Sequence, residues 1–117
     1  MAKSIDSMLI LNRQVMADLL GDDKQMIQQF ERDFVAQTKS IVAEMIALIK
    51  LKQFVQLKAK AHYLKTSAKA IGAEQSAFWL QQIEHDSNEQ HFEHCQTSLK
   101  SLMLTLQQVE KEVQLDC

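Results

Sequence analysis

Apolar residues recur along the chain at steps of three and four. Phe92, Cys95, Leu99, Leu102, Leu106, Val109 and Val113 keep that rhythm without a miss. This is the spacing of one helix face, and it predicts an amphipathic helix of about 25 residues, roughly 37 Å long. Phe54, Leu57, Ala61, Leu64, Ala68 and Ile71 repeat the pattern up to Gly72. Ile27, Phe30, Phe34, Ile41, Met45 and Leu48 mark a long helix over 23–49, opened by Asp22 and Gln25 at capping-box spacing. A shorter helix from Glu74 to about His85 carries Trp79, Leu80 and Ile83, and Asp86, Ser87 and Asn88 read as the turn after it. Before these, Asn12 can cap a helix over 13–20 with Val15, Leu19 and Leu20 as its apolar edge. Gly21 and Gly72 fit the position just past a helix end, whereas the boundary inside IKLKQ carries neither Gly nor Pro and shows only as a change of phase.

Helices with one apolar stripe and short connections pack most simply as an antiparallel, up-down-up-down four-helix bundle, with the short first helix across one end. The expected fold class is therefore all-α. The expected organisation is one domain over 1–117, with 1–11 an N-terminal extension and 12–115 the helical core. The last helix closes this bundle rather than pairing with a second copy, because a stripe used inside one protomer is unavailable outside it, and a monomer is expected. Phe30, Phe34, Phe54, Phe92 and Trp79 read as core, with Met26 and Met45 as flexible filler.

Composition supports this reading and removes others. The 117 residues contain no Pro and two Gly, too few turn residues for a sandwich, a barrel or a doubly wound sheet. Hydrophobic residues at 46% are enough for a core, which argues against disorder. The longest apolar runs fall far short of the ~20 residues that span a bilayer, and the start MAKSID lacks an apolar signal region. A net charge of −2 gives no global field toward nucleic acid or anionic lipid. Cys95 and Cys117 suit a reducing cytoplasm and read as structural or incidental. The initiating Met1 and the lack of a linker favour a stand-alone protein.

One histidine lies on the wrong side of its helix for a core. At 100° per residue, His62 points roughly 135° away from the mean direction of the Phe54 to Ile71 seam. It should face water, beside Lys58, Lys65 and Lys69 on the same face. These lysines would neutralise phosphoryl oxygens placed on the imidazole. Val55, Ala59, Thr66 and Ala70 leave that face small, which suits a docking partner that brings its own reactive group. A second cluster, His85, His91 and His94 with Asp86, Glu89 and Glu93, has no defined ligand spacing and is read as a solvated helix start rather than a metal site.

The segment AHYLKTSAKAIGAEQSAFWLQQIE, Ala61 to Glu84, resembles the signature of the histidine-containing phosphotransfer (HPt) domain. In that signature a bundle helix reads A-H-x-L-K-G-S-A and is followed by a G-A pair and a closing L-E. Ala61, His62, Leu64, Lys65, Ser67, Ala68, Gly72, Ala73 and Glu84 match it. LLGDDKQMIQQFERDF is similar to the family's first long helix, and the resemblance runs from about Asn12 to Val113. It implies a phosphocarrier of two-component phosphorelays, which is not an enzyme on its own. His62 would be the phosphoacceptor, Lys65 would steady the phosphoryl group, and Glu84 would accept the other ring N–H and orient the imidazole. Val55, Lys58, Ala59, Thr66 and Lys69 would form the partner surface. The implied partners are receiver domains of a hybrid sensor histidine kinase and of a response regulator, with no cofactor on this chain and Mg²⁺ on the receiver. Thr66 departs from the pattern, since the family usually has Gly there. Its bulk would slow transfer, narrow partner choice, or supply a hydroxyl to the phosphoryl group. The alternative function is a helical module that docks signalling proteins without being phosphorylated.

Overall fold

The structure is a computed structural model and describes residues 5–115. After a 3-10 turn at Ile5–Ser7, the chain forms α1 (Arg13–Leu20), α2 (Lys24–Lys50), α3 (Phe54–Ile71), α4 (Glu74–Asn88) and α5 (Phe92–Leu115). The four long helices contact one another in the ring α2–α3–α4–α5–α2, as an up-down-up-down bundle requires. Side-chain pairs show the antiparallel register. Along α3, Lys58, His62 and Lys65 rise in steps of four and three, and their α4 partners Asn88, Glu84 and Gln81 fall by the same steps. Likewise Lys60 and Tyr63 of α3 meet Glu44 and Gln37 of α2.

The predicted stripes form the core. Leu57, Ala61, Leu64 and Ala68 of α3 face Leu80 and Ile83 of α4, Cys95, Leu102 and Val109 of α5, and Met45 of α2, all sealed from solvent. Each fully buried Leu or Ile contributes about 1.5–3 kcal/mol relative to exposure, so this seam dominates the stability. Burial pushes the Cys95 thiol up, with the Ser87 hydroxyl partly opposing and the Asp86 charge adding to the rise, so the thiol is an inert filler. Cys117 lies outside the described residues. Among the described residues, no helix is long and apolar enough to cross a membrane.

The three turns between long helices share one device. In each, a residue one or two positions past the helix takes a left-handed conformation, and its own N–H and the next one fold back on carbonyls of the last turn. Gly72 (φ 81) does this with bonds from its own N–H to Lys69 and from Ala73 to Ala68. Lys52 (φ 55) and Gln90 (φ 55) do the same after α2 and α4. Non-glycine residues at two of the three positions hid those ends from the sequence.

Several expectations need correction. Asp23, not Asp22, caps α2, accepting from the Met26 N–H. The cluster at 86–88 is the last turn of α4, because Asp86 and Ser87 have buried partners on α5 that reward continuing the helix. In α1 the buried residue is Met16, while Leu19 is 73% exposed. Met26 and Phe30 are exposed as well. The buried seam of α2 starts with Glu31, Phe34, Thr38 and Ile41, so Met26 and Phe30 fall to one side of it. Phe30 lines a shallow surface groove with Gln37, Ser67 and Ala70.

Residues 8–11, read as part of an extension, form with the capping Asn12 a strap docked across the α3–α4 turn. Leu9 N–H donates to Glu74 Oε1, Asn12 Nδ2 to Glu74 Oε2, and Gln75 returns bonds to the carbonyls of Met8 and Leu9. Leu11 is buried. Asn12 N–H donates to Gly72 O at 2.7 Å, and a Cβ on Gly72 would lie 2.1 Å from Asn12 O. Gly72 is therefore required twice, for its backbone conformation and for this approach. Arg13 then ties the start of α1 to Glu31 of α2 and the Glu112 carbonyl of α5, which sets α1 across the same end of the bundle.

Candidate functional site

His62 lies halfway along α3, on its outer side, with its side chain 66% exposed. The helix puts it there for a simple reason: Ala61 and Leu64 own the inward face, so the residue between them points out. Across the seam, α4 offers Glu84, one residue past the fully buried Ile83. Glu84 Oε1 accepts from His62 Nδ1 at 2.7 Å, while Oε2 accepts from Lys65 Nζ at 2.5 Å. The ammonium also donates to Gln81 Oε1 at 2.7 Å.

Burial pushes the Glu84 carboxyl up, but the hydrogen bonds and charges of Lys65 and His62 outweigh it and hold it below the ordinary 4.5. An ionised carboxylate only accepts, so Nδ1 carries the hydrogen, and in the neutral ring Nε2 carries the lone pair. The arrangement thus presents a nucleophilic nitrogen to solvent and fixes its tautomer from behind. A buried anion with an exposed, oriented imidazole suits covalent attachment of an electrophile at Nε2.

The other expected residues divide into two groups. Lys65 is brought to His62 through their shared carboxylate, but it is not the free surface cation expected, since its side chain is only 13% exposed. Two of its three N–H groups serve Gln81 and Glu84. Gln81 was missed by the sequence reading; its position one turn before Glu84 was the available signal. Lys58 bonds Asn88 Oδ1 at 3.1 Å. Val55, Ala59, Thr66, Lys69 and Ala70 are all exposed. The Thr66 hydroxyl donates to the His62 carbonyl at 3.3 Å, so it serves the helix backbone rather than the imidazole.

In the histidine cluster, the His91 and His94 rings stack at 4.3 Å, while Asp86 turns inward to accept from the Ser98 hydroxyl. No group of three potential metal ligands converges among the described residues.

The sequence matches no family model and no curated protein. Solved structures do match its shape. Histidine-containing phosphotransfer protein B from Pseudomonas aeruginosa PAO1 superposes with a TM-score of 0.84 at 15% identity, over 92% of this chain and 93% of that one. A rice protein described as a candidate histidine-containing phosphotransfer protein superposes with a TM-score of 0.81 at 18% identity, over 90% of this chain and 79% of that one. The chain therefore has the fold of the histidine-containing phosphotransfer proteins.

Proposed function

We propose that this protein is a phosphocarrier of a two-component phosphorelay, loaded by one receiver domain and unloaded by another. The observation that carries the reading is the exposed His62 ring held at Nδ1 by the buried Glu84 carboxylate. The shared fold with phosphotransfer proteins supports it.

His62 Nε2 attacks the phosphorus of a receiver aspartyl phosphate. The N–P bond forms as the P–O bond to the aspartate breaks, and the freed carboxylate stays on the receiver. The Nδ1 hydrogen remains in its bond to Glu84, whose negative charge stabilises the positive charge the ring gains as Nε2 is substituted. Delivery reverses these steps on a second receiver. The carrier supplies positioning. Mg²⁺ and the acceptor aspartate belong to the receivers, and this chain needs no cofactor of its own. It works as a cytoplasmic monomer and is not an enzyme by itself. Lys65 holds Glu84 on the ring and offers its remaining N–H to the phosphoryl group. Val55, Lys58, Ala59, Thr66 and Lys69 receive the partner.

The test is transfer of radiolabelled phosphoryl from a panel of phosphorylated receiver domains. Wild type takes up acid-labile label, and His62→Gln takes up none. Equal labelling of the two would overturn His62 as the acceptor, and no label in either would leave the non-phosphorylated docking module.

A further inference from the structure

The three lysines that share the His62 face of α3 have unequal surroundings. Lys58 is tied to Asn88, and Lys65 to Gln81 and Glu84. The Lys69 ammonium makes no hydrogen bond or ion pair among the described residues. The helix register gives the reason. Continuing the α3–α4 pairing by one more step sets Lys69 against Ala77, which offers no acceptor, and both residues line the same surface groove.

That groove, of about 450 Å³, is walled by Met8 of the strap, Val15 of α1, and Ala77 and Phe78 of α4. Gln81 and Lys69 also line it, and Gln81 is the residue that holds Lys65. The groove is thus continuous with the His62 face. Its one acidic residue among the described residues, Glu74, already accepts from Leu9 and Asn12. Apolar walls beside an uncompensated ammonium fit a partner that brings an apolar side chain next to a carboxylate.

We propose that this groove is a second docking point for the receiver domain, resting on the phosphotransfer reading above. A receiver side chain enters between Met8, Val15 and Phe78 while a neighbouring receiver carboxylate pairs with Lys69. The N-terminal strap is then part of the partner surface, and Lys69 is a specificity-determining residue. It acts on encounter with the partner, whereas Glu84 acts on the reacting ring.

The experiment compares Lys69→Glu, Met8→Asp and Leu104→Asp, using the receiver domain that labels wild type fastest. Leu104 is an exposed residue of α5, which is diagonal to α3 in the ring. Each rate is divided by the rate at which phosphoramidate, a small donor that needs no docking, labels His62 in the same variant. Lys69→Glu lowers this ratio about tenfold through KM, with a gap that narrows as salt is raised. Met8→Asp lowers it about threefold, and Leu104→Asp leaves it at the wild-type value. Wild-type ratios for both Lys69→Glu and Met8→Asp overturn the groove while leaving the carrier intact. Labelling of wild type by phosphoramidate but by no receiver overturns the carrier reading itself, and the groove with it. Sedimentation showing a wild-type dimer that Met8→Asp dissolves assigns the groove to a second copy and also overturns the proposal.

Discussion

Glu84 and Asp86 stand two residues apart on α4, at 7% and 4% exposure, yet they face different helices. Glu84 looks toward α3, where its partners are the His62 imidazole and the Lys65 ammonium. Asp86 looks toward α5, where the Ser98 hydroxyl donates to it at 2.7 Å and Ser87 and Cys95 close the seam. One carboxylate is wired to a reactive group that solvent can reach. The other is a sealed tether between two helices. Burial alone does not separate a working carboxylate from a structural one; the partner and its exposure do.

Replacing the two carboxylate interactions separates these roles. Glu84→Gln keeps the size of the side chain but removes its charge, and it should lower transfer to His62 by about 10- to 100-fold, the scale found for groups that orient a ligand histidine. Single-turnover labelling checks this. Ser98→Ala should cost about 1–3 kcal/mol in denaturant unfolding, because it leaves a buried carboxylate oxygen short of a donor. Transfer should be unchanged, and a loss of transfer in this variant would erase the distinction between the seams.

Acid sharpens the contrast further. The folded Glu84 carboxyl titrates below its ordinary 4.5, so the ionised group stabilises the fold above that pH. The contribution fades as pH falls through the folded value. The stability gap between wild type and Glu84→Gln, read from urea unfolding, should therefore be widest near neutrality and narrow on acidification. The smallest effect concerns a hydroxyl on the same helix as Glu84. Ser76 Oγ is fully buried with no hydrogen-bond partner among the described residues. Ser76→Ala should raise stability by about 1 kcal/mol in thermal unfolding with no change in labelling.

How far the site was legible follows from local geometry. His62 could be read as exposed because Ala61 and Leu64 commit α3 to one inward face, and a helix fixes the angle of every residue between them. Lys65 was misjudged by the same arithmetic. Its angle on α3 is right, but its long side chain reaches over to the carboxylate and amide of α4, which a single-helix projection does not contain. Met26 and Phe30 failed for a different reason: at that end of α2 the buried seam passes through Glu31, paired with Arg13, and Thr38, polar residues that an apolar pattern passes over.

The sequence alone determined the helices, the inward stripes of α3 and α5, and the outward imidazole, because each depends on steps of three and four within one segment. Tertiary structure decided the pairing of Lys58, His62 and Lys65 with Asn88, Glu84 and Gln81, the Lys69 ammonium left without a partner among the described residues, and the strap over Gly72. Those depend on the register between helices, which packing of whole faces sets and no single segment encodes.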